Sequence, residues 1–460
     1  MDKKLELSTS RYKVSFEEIV KGGPGGYEST YLTSEGEASP NELYNFLDRL
    51  DGTFLPSANR MLRTRNGDNL LTALSEGKSL GIASGFKPSG AFHFGHKLAS
   101  SAVSFFQKNG VQVFMPVADL ECMLDTKLSR EQYMYFAADN LLDWGANGVN
   151  LDAAYVYLQS EEHRVANLAY FLARGLSIDL PIDIYGAQKM IEKFPFLFAG
   201  ITQVGDICLP QHEDFGNYHS FMVSGQDQDG HMKMTSELVK RALESGIDFG
   251  GVQTLPSGLY IPHIRGIIGK ASSSEPESTI YLGSGPDSDD LNERISKSLQ
   301  KLDRASENPT LALQLQYAAL DMVRYIEDFN MHSLVDFVEL NERIPEQTKT
   351  SLGNLNESEA LLAIDNYLIE KCNEHSQDNV ALVRDVLPEA LRNHQQRRQR
   401  VLDYALARAD YKDPGAWAED DRPIELEFWK VPSNAVVEEK KMAGPRWFHI
   451  VSSMRDKILA

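Results

Sequence analysis

Cysteine is scarce: Cys122, Cys208 and Cys372 are the only three in 460 residues. They stand far apart and are odd in number, which excludes a disulfide framework or a Cys-x-x-Cys zinc site. No uncharged apolar run approaches the roughly 18 residues of a membrane span, and the start MDKKLELSTSRYK is too polar for a secretory signal. Positive charge is also in deficit. With 46 Lys and Arg against 66 Asp and Glu, the net charge is −20, which argues against bulk attraction to nucleic acid or an anionic membrane but permits a local basic groove. Internal repeats and long low-complexity tracts are missing as well. What is present is core material: 42% of residues are hydrophobic and 24% charged, so collagen-like, mucin-like and disordered classes fall away. A soluble, cytoplasmic chain of several domains is expected.

Texture divides the chain. Residues 1–78 form a mixed N-terminal extension, with Gly22, Gly23, Gly25 and Gly26 ahead of a helix opened by Ser39 and Pro40. From 79 to 286 short apolar runs alternate with amphipathic stretches, as in β-α-β units with a parallel sheet. Strands are expected at Leu80–Ser84, Val111–Ala118, Tyr155–Leu158 and Phe221–Ser224, and helices at His93–Lys108, Ser129–Trp144 and Gln228–Glu244. From 287 to 411 the periodicity is helical almost throughout. The tail, 412–460, carries Pro414, Pro423, Pro432 and Pro445 among aromatic residues and reads as an irregular extension packed on a neighbour.

Between the first strand and its helix lies Gly85-Phe86-Lys87-Pro88-Ser89-Gly90, then His93-Phe94-Gly95-His96. A glycine-bearing strand-to-helix loop offers backbone N–H groups to an anion, and the helix amino end adds partial positive charge. His93 and His96 are three apart and can donate together to phosphate, while Gly95 leaves room for a flat ring such as adenine. Ordinary helix caps or a His-x-x-His zinc pair are the competing readings, and no third ligand stands at a zinc-site spacing, so no metal site is expected.

The second stretch is Gly269-Lys270-Ala271-Ser272-Ser273-Ser274-Glu275, after the apolar segment Tyr260–Ile268. Small residues let such a loop close over a ligand, hydroxyls donate to phosphate, and a lysine offsets charge on a leaving pyrophosphate. Alone it would read as a surface turn.

The pair, in this order, resembles the HIGH and KMSKS signatures of class I aminoacyl-tRNA synthetases. Ser224-Gly225-Gln226-Asp227-Gln228-Asp229-Gly230-His231, with the helix that follows, is similar to the corresponding stretch of tryptophanyl-tRNA synthetases. So is Gly200-Ile201-Thr202-Gln203-Val204-Gly205-Asp206, and Ala118-Asp119-Leu120-Glu121 resembles the strand end bearing pocket carboxylates in the archaeal branch. The likeness spans about Leu80 to Leu282 closely and runs to Tyr411 more loosely. It implies a Rossmann-like α/β catalytic domain with a C-terminal α-helical domain that binds tRNA, and a homodimer. It also implies a reaction of ATP, Mg2+ and L-tryptophan that gives an adenylate, followed by transfer to tRNA(Trp).

Carried onto this chain, the resemblance makes His93, His96 and Lys270 catalytic. Gly85, Ser89, Gly90, Gly95, Gly225, Asp227, Ser272, Ser273 and Ser274 would line ATP, and Glu121, Gln203, Asp206 and Gln228 the amino acid, with Glu121 accepting an indole N–H. Ala271 and Gly230 depart from the pattern, which commonly has methionine and proline, and Pro116 stands near a polar pocket position of eukaryotic relatives. A tyrosine ligase is a rival, since Gln203-x-x-Asp206 also occurs in archaeal tyrosyl enzymes. A nucleotidyltransferase acting on another small molecule and a non-charging paralogue are two more. The basic run from Arg392 through Arg397, Arg398 and Arg400 would meet tRNA phosphates or form a solvated face paired with acids.

Overall fold

The computed structural model describes residues 63–192, 194–261, 265–266, 269–270, 279–283, 290–306, 384, 387–409, 426–438, 441 and 446–459. The glycine-rich stretch near residue 22, the helix expected after Pro40 and most of the helical run from 307 to 386 lie outside them.

Six strands form one sheet: β1 (Arg63–Arg65), β2 (Leu80–Ala83), β3 (Gln112–Val117), β4 (Tyr155–Leu158), β5 (His219–Gly225) and β6 (Ser257–Ile261). Their order is β1-β6-β5-β2-β3-β4, all neighbours parallel except β1, which pairs antiparallel with β6. The connecting helices are α1 (Gly67–Ser75), α2 (Phe94–Lys108), α3 (Asp119–Asp125), α4 (Arg130–Ala146), α5 (His163–Leu172), α6 (Asp179–Tyr185), α7 (Ala187–Glu192), α8 (Phe196–Cys208) and α9 (Asp229–Glu244). A short hairpin, β7 (Arg265–Gly266) and β8 (Gly269–Lys270), follows β6, and then α10 (Leu291–Ser306), α11 (387–409), α12 (Trp447–Ser453) and α13 (Arg455–Leu459). The strands and helices expected within the described residues of the 79–286 stretch are all there, within two residues at their ends. β1 and α1, inside the stretch assigned to an N-terminal extension, instead complete the sheet edge.

Alternation along the strands builds two cores. Ile82, Val113, Met115, Val117, Val156, Leu158, Phe221 and Val223 face α2, α4 and α11 in one cluster. Phe114, Tyr155 and Tyr157, of opposite parity, face α5, α8 and α9 in another. The chain thus winds outward from β2 through β3 to β4 on one face, then crosses to β5 on the other side of β2. Strand order reverses between β2 and β5, and a crevice opens at the carboxyl ends of strands on either side of such a switch point.

The tail belongs to the first core. Trp429, Trp447, Phe448, Ile450 and Val451 are buried there beside Trp144 of α4. Trp429 Nε1 donates to the Gly145 carbonyl at 2.9 Å, and Asp152 accepts from Trp447 Nε1 at 2.8 Å and from the Tyr404 hydroxyl. Three stretches distant in sequence therefore meet on one carboxylate. Among the described residues no helix is long and apolar enough to cross a membrane. Replacing Asp152 by Ala removes the acceptor of the buried Trp447 N–H and of the half-buried Tyr404 hydroxyl, and the expected loss is about 2 kcal/mol of stability, read as a lower midpoint of urea unfolding.

Candidate active site

The loop leaving β2 is pinned to β3 by backbone. Phe86 N–H donates to Pro116 O at 3.1 Å and Ala118 N–H to Phe86 O at 2.9 Å. Gly85 sits so close that a Cβ there would fall 1.9 Å from the Pro116 carbonyl oxygen, so a side chain would force the loop off the strand. Ser89 and Gly90 are half-buried, and Asn140 of α4 donates to the Gly90 carbonyl at 3.1 Å. Lys87 reaches across to Glu121 Oε1 at 3.1 Å, tying the loop to α3.

His93 is the N-cap of α2, with extended backbone, and His96 lies in the first turn. Gly95 N–H donates to His93 Nδ1 at 3.0 Å and His93 N–H to His96 Nδ1 at 3.3 Å, a reciprocal cap made of two imidazoles. Their rings stack, centroids 3.9 Å apart. The capping role and the phosphate role are therefore compatible. With both Nδ1 atoms accepting, each neutral ring carries its proton on Nε2, the tautomer that can donate outward. Two helix-end N–H groups expected to face an anion are occupied by these rings. The missing side chain of Gly95 makes room for the His93 ring, since a Cβ would lie 2.9 Å from Cε1, where the sequence had suggested space for adenine.

Gly269 and Lys270 are strand rather than loop, because they pair antiparallel with Gly266 and Arg265. Ser272, Ser273 and Ser274 lie outside the described residues. The chain resumes at Thr279, and there Tyr281 bridges antiparallel to His93 while Leu282 N–H donates to Phe92 O at 3.0 Å. The second stretch thus departs from the carboxyl end of β6 and returns to the root of the first.

At the end of β5, Gly225 pairs with Ile261, and Asp227 and Gln228 form the turn into α9. Gln203 of α8 donates to Gln228 Oε1 at 3.3 Å, and Gln228 donates to Asp227 Oδ2 at 3.2 Å. These three predicted residues form one chain of amides and carboxylate. Asp206, one turn on from Gln203, is buried and accepts from the Tyr157 hydroxyl at 2.8 Å and from Gln159 Nε2 at 2.5 Å. Burial pushes its carboxyl up to about 7; the nearby Asp119 and Glu121 charges add to the rise, and the Gln159 and Tyr157 hydrogen bonds oppose it.

Tyr157 and Gln159 carried no assignment, although the spacing Tyr155, Tyr157, Gln159 puts three polar-tipped side chains on one strand face, a usable signal. Lys87 was likewise overlooked. Asp229 turns out to be structural: it holds the Arg65 guanidinium at 2.6 and 2.8 Å and accepts from the Tyr260 hydroxyl at 2.7 Å, clamping edge strand β1. Burial disfavours the Arg65 charge, but the bonds to Asp229 outweigh it and raise its pKa. Gly230 has a local reason, since a Cβ there would lie 2.8 Å from the Tyr185 ring.

A family model described as tRNA synthetases class I (W and Y) matches residues 75–344. The tryptophan–tRNA ligase of Aeropyrum pernix is 30% identical over 244 residues, covering 52% of this chain and 63% of that protein. That of Methanocaldococcus jannaschii is 32% identical over 229 residues, covering 49% of this chain and 60% of that one. The chain therefore spans somewhat less than two thirds of these relatives. In fold it is similar to the A. pernix tryptophanyl-tRNA synthetase (TM-score 0.53, 23% identity, 73% of this chain and 83% of that one). It is also similar to the Plasmodium falciparum tryptophanyl-tRNA synthetase (TM-score 0.55, 16% identity, 84% and 93%).

The Asp206 carboxyl sets a pH test. Its folded pKa of about 7 exceeds the ordinary 3.8, so its contribution to stability is full below pH 3.8 and is lost as pH rises through about 7. Asp206→Asn should gain stability relative to wild type progressively across that window and then level off, as followed by denaturant midpoints in a pH series.

Proposed function

This chain belongs to the class I tRNA synthetases of the tryptophan and tyrosine family, and from that premise we propose that it is a cytoplasmic ligase that activates L-tryptophan with ATP and charges tRNA(Trp). The supporting observation is the backbone tie between His93 and Tyr281, which roots both loops at one place on the switch-point edge. A triphosphate between them would meet donors on one side and a cation on the other. Residues 79–286 would form the catalytic unit and 287–411 the tRNA-binding unit.

In this reading the tryptophan carboxylate attacks the α-phosphorus of ATP, forming the mixed anhydride as the bond to pyrophosphate breaks. His93 and His96 donate Nε2–H to phosphate oxygens, and Lys270 with Ser272, Ser273 and Ser274 offsets charge accumulating on the leaving group. Gly85, Ser89, Gly90, Gly95 and Gly225 border the nucleotide. Gln203, Gln228 and Asp227 offer oxygens to the substrate ammonium or the ribose. Glu121, with Oε1 held by Lys87, offers Oε2 to the indole N–H, and Asp206 sits behind the pocket among Tyr157 and Gln159. No protein nucleophile is required, so positioning and charge stabilisation carry the acceleration. Among the described residues no three His, Cys, Asp or Glu side chains gather into a metal cage. A magnesium ion held through ATP oxygens and waters needs none.

Tryptophan is preferred over tyrosine because both relatives named above are tryptophan–tRNA ligases. Pyrophosphate exchange into ATP, run with each amino acid and followed by tRNA charging, decides. Tryptophan-dependent exchange and charging are expected; exchange with tyrosine, exchange without charging, or neither would each overturn the assignment in favour of one rival. In Lys270→Ala the exchange rate should fall about 100-fold or more, and an unchanged rate would refute the role of the second loop.

A homodimer is part of the proposal. Tyr170 and Ile191 are 80% and 82% exposed on α5 and α7, and Phe194 and Phe198 are exposed in edge-to-face contact with each other. Large apolar side chains so displayed mark an association surface. Phe198→Asp should convert a dimer to monomer in light scattering while leaving the unfolding midpoint of the monomer near that of wild type.

A further inference from the structure

Outside the residues assigned to the site lies a cluster of buried ionic and amide groups that the proposed chemistry does not use. Asp139, Asn140 and Asp143 come from α4, Lys97 and Ser100 from α2, His394 and Arg398 from α11, and Arg294 from α10, all buried. His394 Nε2 lies 2.8 Å from Asp143 Oδ1, Arg398 Nε lies 3.2 Å from the same oxygen, and Arg398 Nη2 pairs with Asp139. Burial lowers the His394 pKa, which the bond to Asp143 and its charge oppose.

The cluster touches the backbone of the first loop and of the segment just past the second. Through Asn140, α4 holds the Gly90 carbonyl of the first loop at 3.1 Å. Through Arg294, which also takes Gln395 of α11 as a partner at 3.1 Å, it holds the Gly283 carbonyl just past the second. Gly283 is pressed so closely onto Asp143 that a Cβ would lie 2.3 Å from Oδ2. Ser100 of α2, the helix headed by the His pair, accepts from Asn147 at 2.8 Å. Replacing buried ion pairs with apolar residues is often neutral or stabilising, so stability alone is weak grounds for keeping such a cluster.

We propose that this cluster sets the spacing of the two nucleotide loops, with Asn140 and Arg294 as positioning residues and Asp139, Asp143, His394 and Arg398 coupling α11 to them. The inference rests on the ligase reading for its kinetic readout but not for its structural one. Whatever displaces α11 moves the anchors of Gly90 and Gly283 together, so the nucleotide site and the helical region act as one mechanical unit.

Two variants and a control test it. Asn140→Ala removes the bond to Gly90 alone, and the Asp139→Leu, Arg398→Met double variant removes both members of one ion pair, with Asp143 losing Arg398 but keeping its bond to His394. Trp447→Phe, which loses the bond to Asp152 but none of the bonds to Gly90 or Gly283, is the control for simple destabilisation. In pyrophosphate exchange, both test variants should raise the KM for ATP about 10-fold with the KM for tryptophan nearly unchanged, and Trp447→Phe should move neither. Hydrogen exchange without nucleotide should accelerate in the peptide covering 85–96 in both test variants and not in the control. Unchanged exchange in that peptide, or an ATP effect of equal size in Trp447→Phe, would overturn the coupling. Should wild type exchange pyrophosphate with no amino acid, the ligase reading falls while the hydrogen-exchange comparison still decides this one.

Discussion

Leu282 N–H to Phe92 O, with the bridge between Tyr281 and His93, fastens the return of one loop to the start of another nearly 200 residues earlier in sequence. These are backbone interactions, and they do not depend on which side chains the loops carry. Departures such as Ala271 can alter the loop without releasing its root. The parallel sheet makes the tie possible. β2, β5 and β6 all end at the same edge, so the segments that leave them are neighbours before any side chain is considered. A site for a polyanion then needs only that donors and a cation be set on opposite sides of this crevice.

Several polar residues there serve architecture first. The two imidazoles cap α2 and each other, Asp229 clamps β1, and Lys87 holds Glu121. Such bonds fix tautomer and orientation before a substrate arrives. Donors already aimed need no reorganisation when charge develops, which is what electrostatic catalysis requires of a protein. Under the proposed function a cap and a phosphate ligand would be one residue in two capacities, with backbone N–H at Nδ1 and the ring proton on Nε2.

Local information was readable where a short period sufficed. Tyr155–Leu158 matches its strand end for end, and Ser129 caps α4 with Gln132 as its partner. His93 and His96 were picked out as polar residues at a helix start and Gln203, Asp227 and Gln228 through the family resemblance, and the fold brings the last three into one hydrogen-bonded chain. Long-range pairing was not readable. Nothing near Arg65 announces Asp229, 164 residues away, nor does Asp152 announce Trp447 at a separation of 295. For that reason β1 passed for an extension and the tail for an appendage. Burial was equally hidden: the basic run on α11 reads as a nucleic-acid face, yet His394 and Arg398 point inward and are consumed by Asp139 and Asp143.

That consumption constrains how a chain of net charge −20 could hold tRNA. The inward Arg398 of α11 cannot leave Asp139 and Asp143 without stranding buried carboxylates, which costs several kcal/mol. Its outward cations are differently placed. Arg392 pairs with Glu389 at 3.6 Å and Arg400 with Glu427 at 3.1 Å, all four side chains well exposed. Exposed pairs of this kind contribute about 0 to 1 kcal/mol, so exchanging a carboxylate for a phosphate costs little. Arg397 and Arg400 also lie over the Phe428 ring, 5.0 and 5.3 Å from its centre, which holds two guanidinium groups side by side. One helix can therefore serve two ends: its inner face tied to α4 and α10 through His394, Arg398 and Gln395, its outer face carrying Arg392 and Arg400 in pairs that exchange at low cost.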